Sequence, residues 1–201
     1  GGISETLLKN FPSARILGID INPLAISYAI SKAKGSIVRG SINTLPVNDS
    51  SIDIIIALDV IYHHDVNEIS ALRELARVLK PGGIIMINLP AYEWLRSNHD
   101  MAIHTARRYT TSKFRDLAIA AGLEVPLCQY RNTLLFPLML TERLLQKLPF
   151  VSKSNSSVTL PRMPINYLFW KIMDFENRLL RLGTKFPIGG SVFALLSKQE
   201  R

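Results

Sequence analysis

The stretch from Ile52 to Gly83 constrains this chain more than any other. It reads IDIIIALDVIYHH, then a helical run, then LKPGG. The apolar run reads as a buried strand that ends at Asp59, beside the paired His63 and His64. Pro81-Gly82-Gly83 then turns the chain into a second strand, IIMINL. In an open α/β sheet, ligands sit beyond the carboxyl ends of the strands. Asp59, His63 and His64 therefore fall where a ligand is expected.

The flanking segments extend this pattern. Gly1-Gly2 leads into a short helix, ISETLLKNF, with Ile3, Leu7 and Leu8 facing inward. ARILGID reads as a buried strand ending at Asp20. Asn22 is a cap and Pro23 a first helical residue for a helix running to about Lys34. SIVRG is a short strand, and the polar loop NTLPVNDSS leads into strand 52–58. Ile69, Leu72, Ala76 and Leu79 recur at helical spacing over 66–79. Strand 84–89 follows. Thr110 or Thr111 caps a helix that stops at Gly122. LEVPLCQYR and SVFALLSK are the last two strands. Alternating strands and helices predict an α/β fold, mostly parallel, with helices on both faces.

An unusual stretch separates those two strands. Residues 133–148 read as an apolar helix and 149–164 as a loop with prolines. Residues 165–182 form an amphipathic helix with Ile165, Leu168, Phe169, Ile172, Leu179 and Leu182 on one face. The expected organisation is a core over 1–132, a helical insertion over 133–187 and a final core strand in 188–201.

Composition narrows the function. The net charge is +8, and the insertion holds eight of the basic residues against three acidic ones. Such an excess attracts nucleic acid, anionic lipid or an anionic substrate. No basic run with interleaved aromatics favours nucleic acid, so no nucleic-acid partner is expected. The single cysteine, Cys128, permits no internal disulfide, which suits a reducing compartment. It reads as a small buried residue. The longest apolar run, Leu134 to Leu140, is interrupted by Pro137 and is far short of the roughly 20 residues a bilayer requires.

Asp20 closes a strand some distance after glycines, where an acid can accept both hydroxyls of a ribose. That geometry serves NAD and S-adenosylmethionine alike. Taken together, ILGID, RGSINTLPVNDSSIDIIIALDVIYHH and RELARVLKPGG resemble the class I S-adenosylmethionine-dependent methyltransferases, in the family's order over residues 1 to about 90. The resemblance implies a Rossmann-like fold with an antiparallel last strand. It implies that Gly1 and Gly2 end the glycine-rich cofactor loop and that Asp20 holds the ribose. Ile21 would pack on the adenine, with Ser41 and Ile42 at its edge. Asp59 and Val60 would line the methionine end. Two departures stand out. Ser41 replaces the acidic residue common in the family. The family's first strand precedes the glycine loop, whereas this chain begins at Gly1, so truncation within that loop is expected.

Histidine suits a general base for a hydroxyl nucleophile, and His63 is the first candidate, with packing of the pocket wall as its alternative. His99, Asp100, His104, Arg107, Arg108 and Tyr109 form a second cluster. It resembles the HD…HxRRYT pattern of a bacterial subgroup, several of which accompany surface-polysaccharide or lipid-glycan enzymes. His104 joins His63 as a catalytic candidate. His64, His99, Asp100, Arg107, Arg108 and Tyr109 are candidates for binding an acceptor's anionic group. The alternative is a loop pinned by Asp100–Arg ion pairs. Metal ligation is not expected.

The expected activity is methyl transfer from S-adenosylmethionine to a small-molecule or lipid/glycan-linked acceptor, at oxygen. The expected location is cytoplasmic, with 133–187 either capping the substrate pocket or lying on an anionic membrane surface at the inner face. Two rivals remain: an NAD(P)-dependent oxidoreductase and a non-catalytic scaffold on the methyltransferase fold.

Overall fold

The computed structural model describes residues 2–32, 36–96, 100, 105–145 and 163–198. The expectations attached to Gly1, His99 and His104 lie outside the described residues. The chain divides into two compact units, Gly1–Asn48 and Asp49–Arg201.

The first unit contains α1 (Gly2–Asn10), β1 (Leu17–Asp20), α2 (Pro23–Lys32) and β2 (Ser36–Arg39). Asn22 caps α2 as its sequence position predicts, accepting from the Leu24 N–H at 2.9 Å. β1 and β2 pair in parallel, with Asp20 opposite Arg39. Two expectations of burial are corrected here. Leu17 on β1 and Ile3 on α1 are both exposed. A four-residue strand with one hydrogen-bonded neighbour has too little sheet area to bury either face.

The second unit is built on a four-stranded sheet in the order β3-β4-β6-β5. Its strands are β3 (Ile52–Leu58), β4 (Leu79–Pro90), β5 (Leu123–Arg131) and β6 (Ser191–Lys198). β3 and β4 are parallel, whereas β6 runs antiparallel to both β4 and β5. The helices are α3 (Glu68–Val78), α4 (Thr111–Ala120), α5 (Phe136–Leu145) and α6 (Met163–Arg181), with a 3-10 turn at Glu93–Leu95. Asn67 caps α3 and Thr110 caps α4.

β4 starts at Leu79, earlier than the Pro-Gly-Gly turn suggests. Leu79 pairs with Ile52 and Ile84 with Ile54, so residues 80–83 bulge between two ladder positions. The sequence supplies what the bulge needs. Gly82 has φ +73°, which a side chain resists. A Cβ on Gly83 would lie 2.9 Å from the Asp53 carbonyl oxygen.

One sheet face forms the core. Ile85, Ile87 and Leu89 of β4 and Val192, Ala194 and Leu196 of β6 are fully buried. Ala71, Leu72, Leu75 and Val78 of α3 and Phe114 and Ala118 of α4 are buried with them. Each large side chain so enclosed contributes about 1.5–3 kcal/mol. The buried stripe of α3 is rotated from the predicted one, since Ala71 and Leu75 replace Ile69 and Ala76. On the opposite sheet face Ile54, Ile56 and Ile84 remain exposed.

β5 and β6 are antiparallel neighbours, which a short hairpin can join. Here α5 and α6 lie between them in sequence, as predicted. The apolar face of α6 is corrected. Ile165, Leu168 and Leu182 are exposed, and the fully buried residue of the helix is Glu176.

Candidate active site

In the first unit the predicted nucleoside-binding residues share one end of the β1–β2 sheet. The Gly40 N–H donates to the Asp20 carbonyl at 3.0 Å. That bond sets the 40–42 segment beside the end of β1. The Asp20 carboxylate is exposed, and its Oδ1 accepts from the Asn22 N–H at 2.8 Å. This fixes its rotamer and leaves Oδ2 for a second donor. Ile21 is 59% exposed, a flat apolar surface beside that carboxylate. The Ser41 Oγ accepts from the Asn43 N–H at 3.2 Å, and Ile42 is half-buried. An exposed, oriented carboxylate next to an uncovered isoleucine fits a ribose and its base.

In the second unit, strained residues follow three strand ends. Asp59 after β3 has φ +58°, Tyr92 after β4 has φ +51° and Asn132 after β5 has φ +60°. Register puts all three at one end of the sheet, because Leu58 pairs with Asn88 and Ser191 pairs with both Pro90 and Arg131. Left-handed backbone costs a non-glycine residue of order 1 kcal/mol, and such strain clusters at binding sites.

Asp59 is held by its neighbours. Its N–H donates to the Asn88 carbonyl at 3.1 Å, and Asn88 Nδ2 donates to Asp59 Oδ1 at 3.3 Å. The carboxylate keeps one side open to solvent. Desolvation by the strand end still moves its pKa upward, against the lowering effects of Asn88 and His63. His63 Nε2 lies 3.2 Å from the Asp59 carbonyl oxygen. In the tautomer that donates this bond, Nδ1 keeps its lone pair for an incoming proton. The His63 ring packs on Tyr62 at 4.6 Å. Val60 is half-buried and His64 is exposed.

The second sequence cluster is brought against the first. Residues 105–109 cross the strand ends as an extended strap. Ala106 N–H donates to the Tyr62 carbonyl, Tyr109 N–H to Pro90 and Tyr92 N–H to Tyr109. Arginines hold the strap in place. Arg107 Nη1 donates to the His63 carbonyl at 2.9 Å and to Val66 at 3.1 Å. Arg96 donates to the Thr105 and Ala106 carbonyls. Arg108 is buried on Asp100, at 2.6 and 3.0 Å, and also donates to Ala91. The Tyr109 hydroxyl is 2.6 Å from Glu68 Oε1, and burial followed by that carboxylate pushes its pKa up. Arg107 pairs with the same carboxylate at 3.3 Å. These are the ion pairs of a pinned loop.

Several contributors escape sequence reasoning. Glu68, Asn88, Arg96 and Tyr92 act through contacts with residues distant in the chain or through register, which no local motif announces. Cys128 is half-buried against α4, its thiol donating to the Thr111 carbonyl, and burial raises its pKa. It is a packing residue with little thiolate character. No group of potential metal ligands occurs among the described residues.

A family profile described as a methyltransferase domain matches residues 1–87. Over that stretch the chain is similar to methyltransferase domains of the S-adenosylmethionine-dependent kind. A protein of Mycolicibacterium smegmatis, named as a probable S-adenosylmethionine-dependent methyltransferase, is 26% identical over 55% of this chain and 44% of its own length. The tRNA (carboxymethyluridine(34)-5-O)-methyltransferase of Arabidopsis thaliana is 26% identical over 63% of this chain and 31% of its own length. The chain thus spans less than half of either relative. A solved SAM-dependent methyltransferase from Methanosarcina mazei has the same fold, with TM-score 0.59 and 15% identity over 98% of this chain and 87% of that one. The cofactor of this methyltransferase family is S-adenosylmethionine. The expectation that excludes nucleic acid finds no support, since a tRNA methyltransferase is among the relatives.

Proposed function

We propose that the chain transfers a methyl group from S-adenosylmethionine to a hydroxyl oxygen of a small-molecule or lipid/glycan-linked acceptor. The observation that carries this reading is His63 beside Asp59 at the strained end of β3, where ligands of open α/β sheets bind. Asp20 holds the ribose hydroxyls, Ile21 and Ile42 pack on the base, Ser41 meets its edge, and Gly1 and Gly2 approach the methionine portion. Asp59 and Val60 line the methionine end. The bound cofactor supplies an electrophilic methyl carbon on a neutral leaving group, so positioning provides much of the rate. With the cofactor held by these residues, His63 would take the proton that the acceptor oxygen loses as the methyl group is transferred to it. His104 is a further candidate base. His64 and His99 are the acceptor-side candidates, whereas Asp100, Arg107, Arg108 and Tyr109 are taken up by the pinned loop that keeps His63 in place.

The working location is the cytoplasm. No helix among the described residues is long and apolar enough to cross a membrane. Peripheral attachment to an anionic membrane is favoured by α6, where Met163, Tyr167, Leu168 and Trp170 are all exposed beside Lys171.

The test is transfer of labelled methyl from S-adenosylmethionine into separated lipid, small-molecule and tRNA fractions. Label in the lipid or small-molecule fraction, lost in His63→Asn, supports the proposal. Label confined to tRNA overturns the acceptor class. Binding of NAD without S-adenosylhomocysteine overturns the cofactor and favours the oxidoreductase. Cofactor binding without any transfer favours the scaffold.

A further inference from the structure

An open cleft of about 410 Å³ lies between α6 and the β5–β6 part of the sheet, lined by Gln129, Arg131, Asn177, Leu180, Arg181 and Phe193. We propose that this cleft is an anion subsite, which takes a phosphate or carboxylate carried on a planar or apolar body.

Its lining carries two guanidiniums and no carboxylate. None of the ion pairs among the described residues involves Arg131 or Arg181. The neighbouring Arg178 differs, being paired with Asp174 at 2.8 Å. Arg131 is oriented before any ligand arrives. Its guanidinium stacks over the Phe193 ring at 5.2 Å and hydrogen-bonds Asn177 Oδ1. A planar guanidinium fixed by stacking presents its remaining N–H groups as a fork matched to a phosphate or carboxylate. Asn177, Leu180 and Arg181 fall at i, i+3 and i+4, so one face of α6 supplies the second wall. Leu180 and Phe193 give an apolar body somewhere to rest, and Gln129 and Asn177 offer amide groups.

The helix wall is held rigidly. Glu176, the residue before Asn177, accepts the backbone N–H groups of Asn132, Thr133 and Leu134 at 2.7–2.9 Å. A Cβ on Gly189 would lie 2.3 Å from the Arg131 carbonyl oxygen, so the return to β6 presses on the residue that carries the guanidinium.

Register ties the cleft to the proposed chemistry. Phe193 pairs with Asn88 on one side and Gln129 on the other, so the three side chains share a sheet face. Asn88 holds Asp59. Two strand spacings separate Asn88 from Gln129, a distance on the order of 10 Å. The acceptor this suits is an elongated anion that reaches across the sheet from its hydroxyl to its charged group. This last step rests on the methyl-transfer reading, whereas the anion subsite does not.

The test is calorimetric titration of the full chain with phenyl phosphate, with S-adenosylhomocysteine titrated in parallel. Saturable millimolar or tighter binding of phenyl phosphate is expected. Arg181→Gln is expected to weaken it about tenfold, and Arg131→Gln with Arg181→Gln to abolish it, because charge-assisted hydrogen bonds are lost. Arg178→Gln is the charge-matched control and is expected to bind as wild type. Absence of saturable binding overturns the proposal, as does an equal loss in Arg178→Gln. Arg181 is exposed, so its variant keeps the test valid if Arg131→Gln fails to fold. Loss of S-adenosylhomocysteine binding with phenyl phosphate binding intact overturns the cofactor reading and leaves the subsite standing. Sedimentation with phosphatidylcholine vesicles containing phosphatidic acid identifies the source. Loss of sedimentation in Arg181→Gln assigns a lipid headgroup, and unchanged sedimentation with lost phenyl phosphate binding assigns a soluble anion.

Discussion

Glu176 on α6 accepts the Thr133 backbone N–H at 2.8 Å, 43 residues back along the chain. The same carboxylate takes the flanking N–H groups of Asn132 and Leu134. Three donors leave the strained turn after β5, and one buried acid satisfies them all. Glu176→Ala leaves three part-buried donors without their acceptor and is expected to cost about 1–3 kcal/mol. Glu176→Gln keeps one acceptor oxygen and is expected to cost about half as much. Urea unfolding of both variants measures this. Equal stability of Glu176→Ala and wild type would show that α6 is not anchored there.

The Arg108–Asp100 pair is buried, and its cost appears when one partner is removed. Asp100→Asn or Arg108→Met alone is expected to destabilise by about 3–5 kcal/mol, because the other charge is left buried. Asp100 also pairs with Arg143 at 3.6 Å, so Asp100→Leu with Arg108→Met and Arg143→Met together is expected to recover part of that loss. A double-mutant cycle reads the coupling, and additive single effects would contradict it.

Arg107 braces the loop that carries His63. Arg107→Ala is expected to abolish methyl transfer while S-adenosylhomocysteine still binds, and to lower stability by about 1–3 kcal/mol. Arg107→Lys retains charge but not the fork, so it restores only part of either property. A variant with wild-type stability and no activity would place Arg107 on the acceptor instead.

Desolvation raises the Asp59 pKa above 3.8. In the window from that value up to the raised folded value, the folded state holds more protons than the unfolded one. Stability therefore falls as pH rises through that window. Asp59→Asn removes the dependence and tolerates the left-handed backbone. It is expected to be as stable as wild type or more so at neutral pH, while cofactor affinity falls. Melting temperatures across pH 3 to 7, compared between the two proteins, test the sign.

The exposed aromatics of α6 make a separate expectation. Tyr167→Ser with Trp170→Ser is expected to reduce flotation with anionic vesicles at least tenfold and leave the melting temperature near wild type. Equal flotation of variant and wild type would remove the membrane reading.

Much of this was legible along the chain. Caps at Asn22 and Thr110 and the apolar strands depend on near neighbours, so their residues announced them, whereas Pro81-Gly82-Gly83 read as a turn before a strand and is a bulge within β4. Asp20, Asp59 and His63 stood out because strand ends are marked locally by the close of an apolar run. Sequence spacing missed the burial of α6. Its hydrophobic stripe suggested Leu168 and Leu182 as core, yet Glu176 is the side chain enclosed, because three unpaired N–H groups across the chain demanded an acceptor.

Local chemistry thus determined the elements, their order and the strand ends where a ligand belongs. Only the tertiary structure decided what the arginines do and where the anion cleft lies. Arg96, Arg107 and Arg108 look alike in sequence, but they meet different partners: the Thr105 and Ala106 carbonyls, the loop after β3 with Glu68 of α3, and Asp100 with the Ala91 carbonyl after β4. Arg131 and Arg181 stand 50 residues apart and become neighbours only because α6 packs on the face of the sheet that carries Phe193. Long side chains with a fixed charge take their role from whichever partner folding brings within about 3 Å, and no periodicity in the chain records that partner.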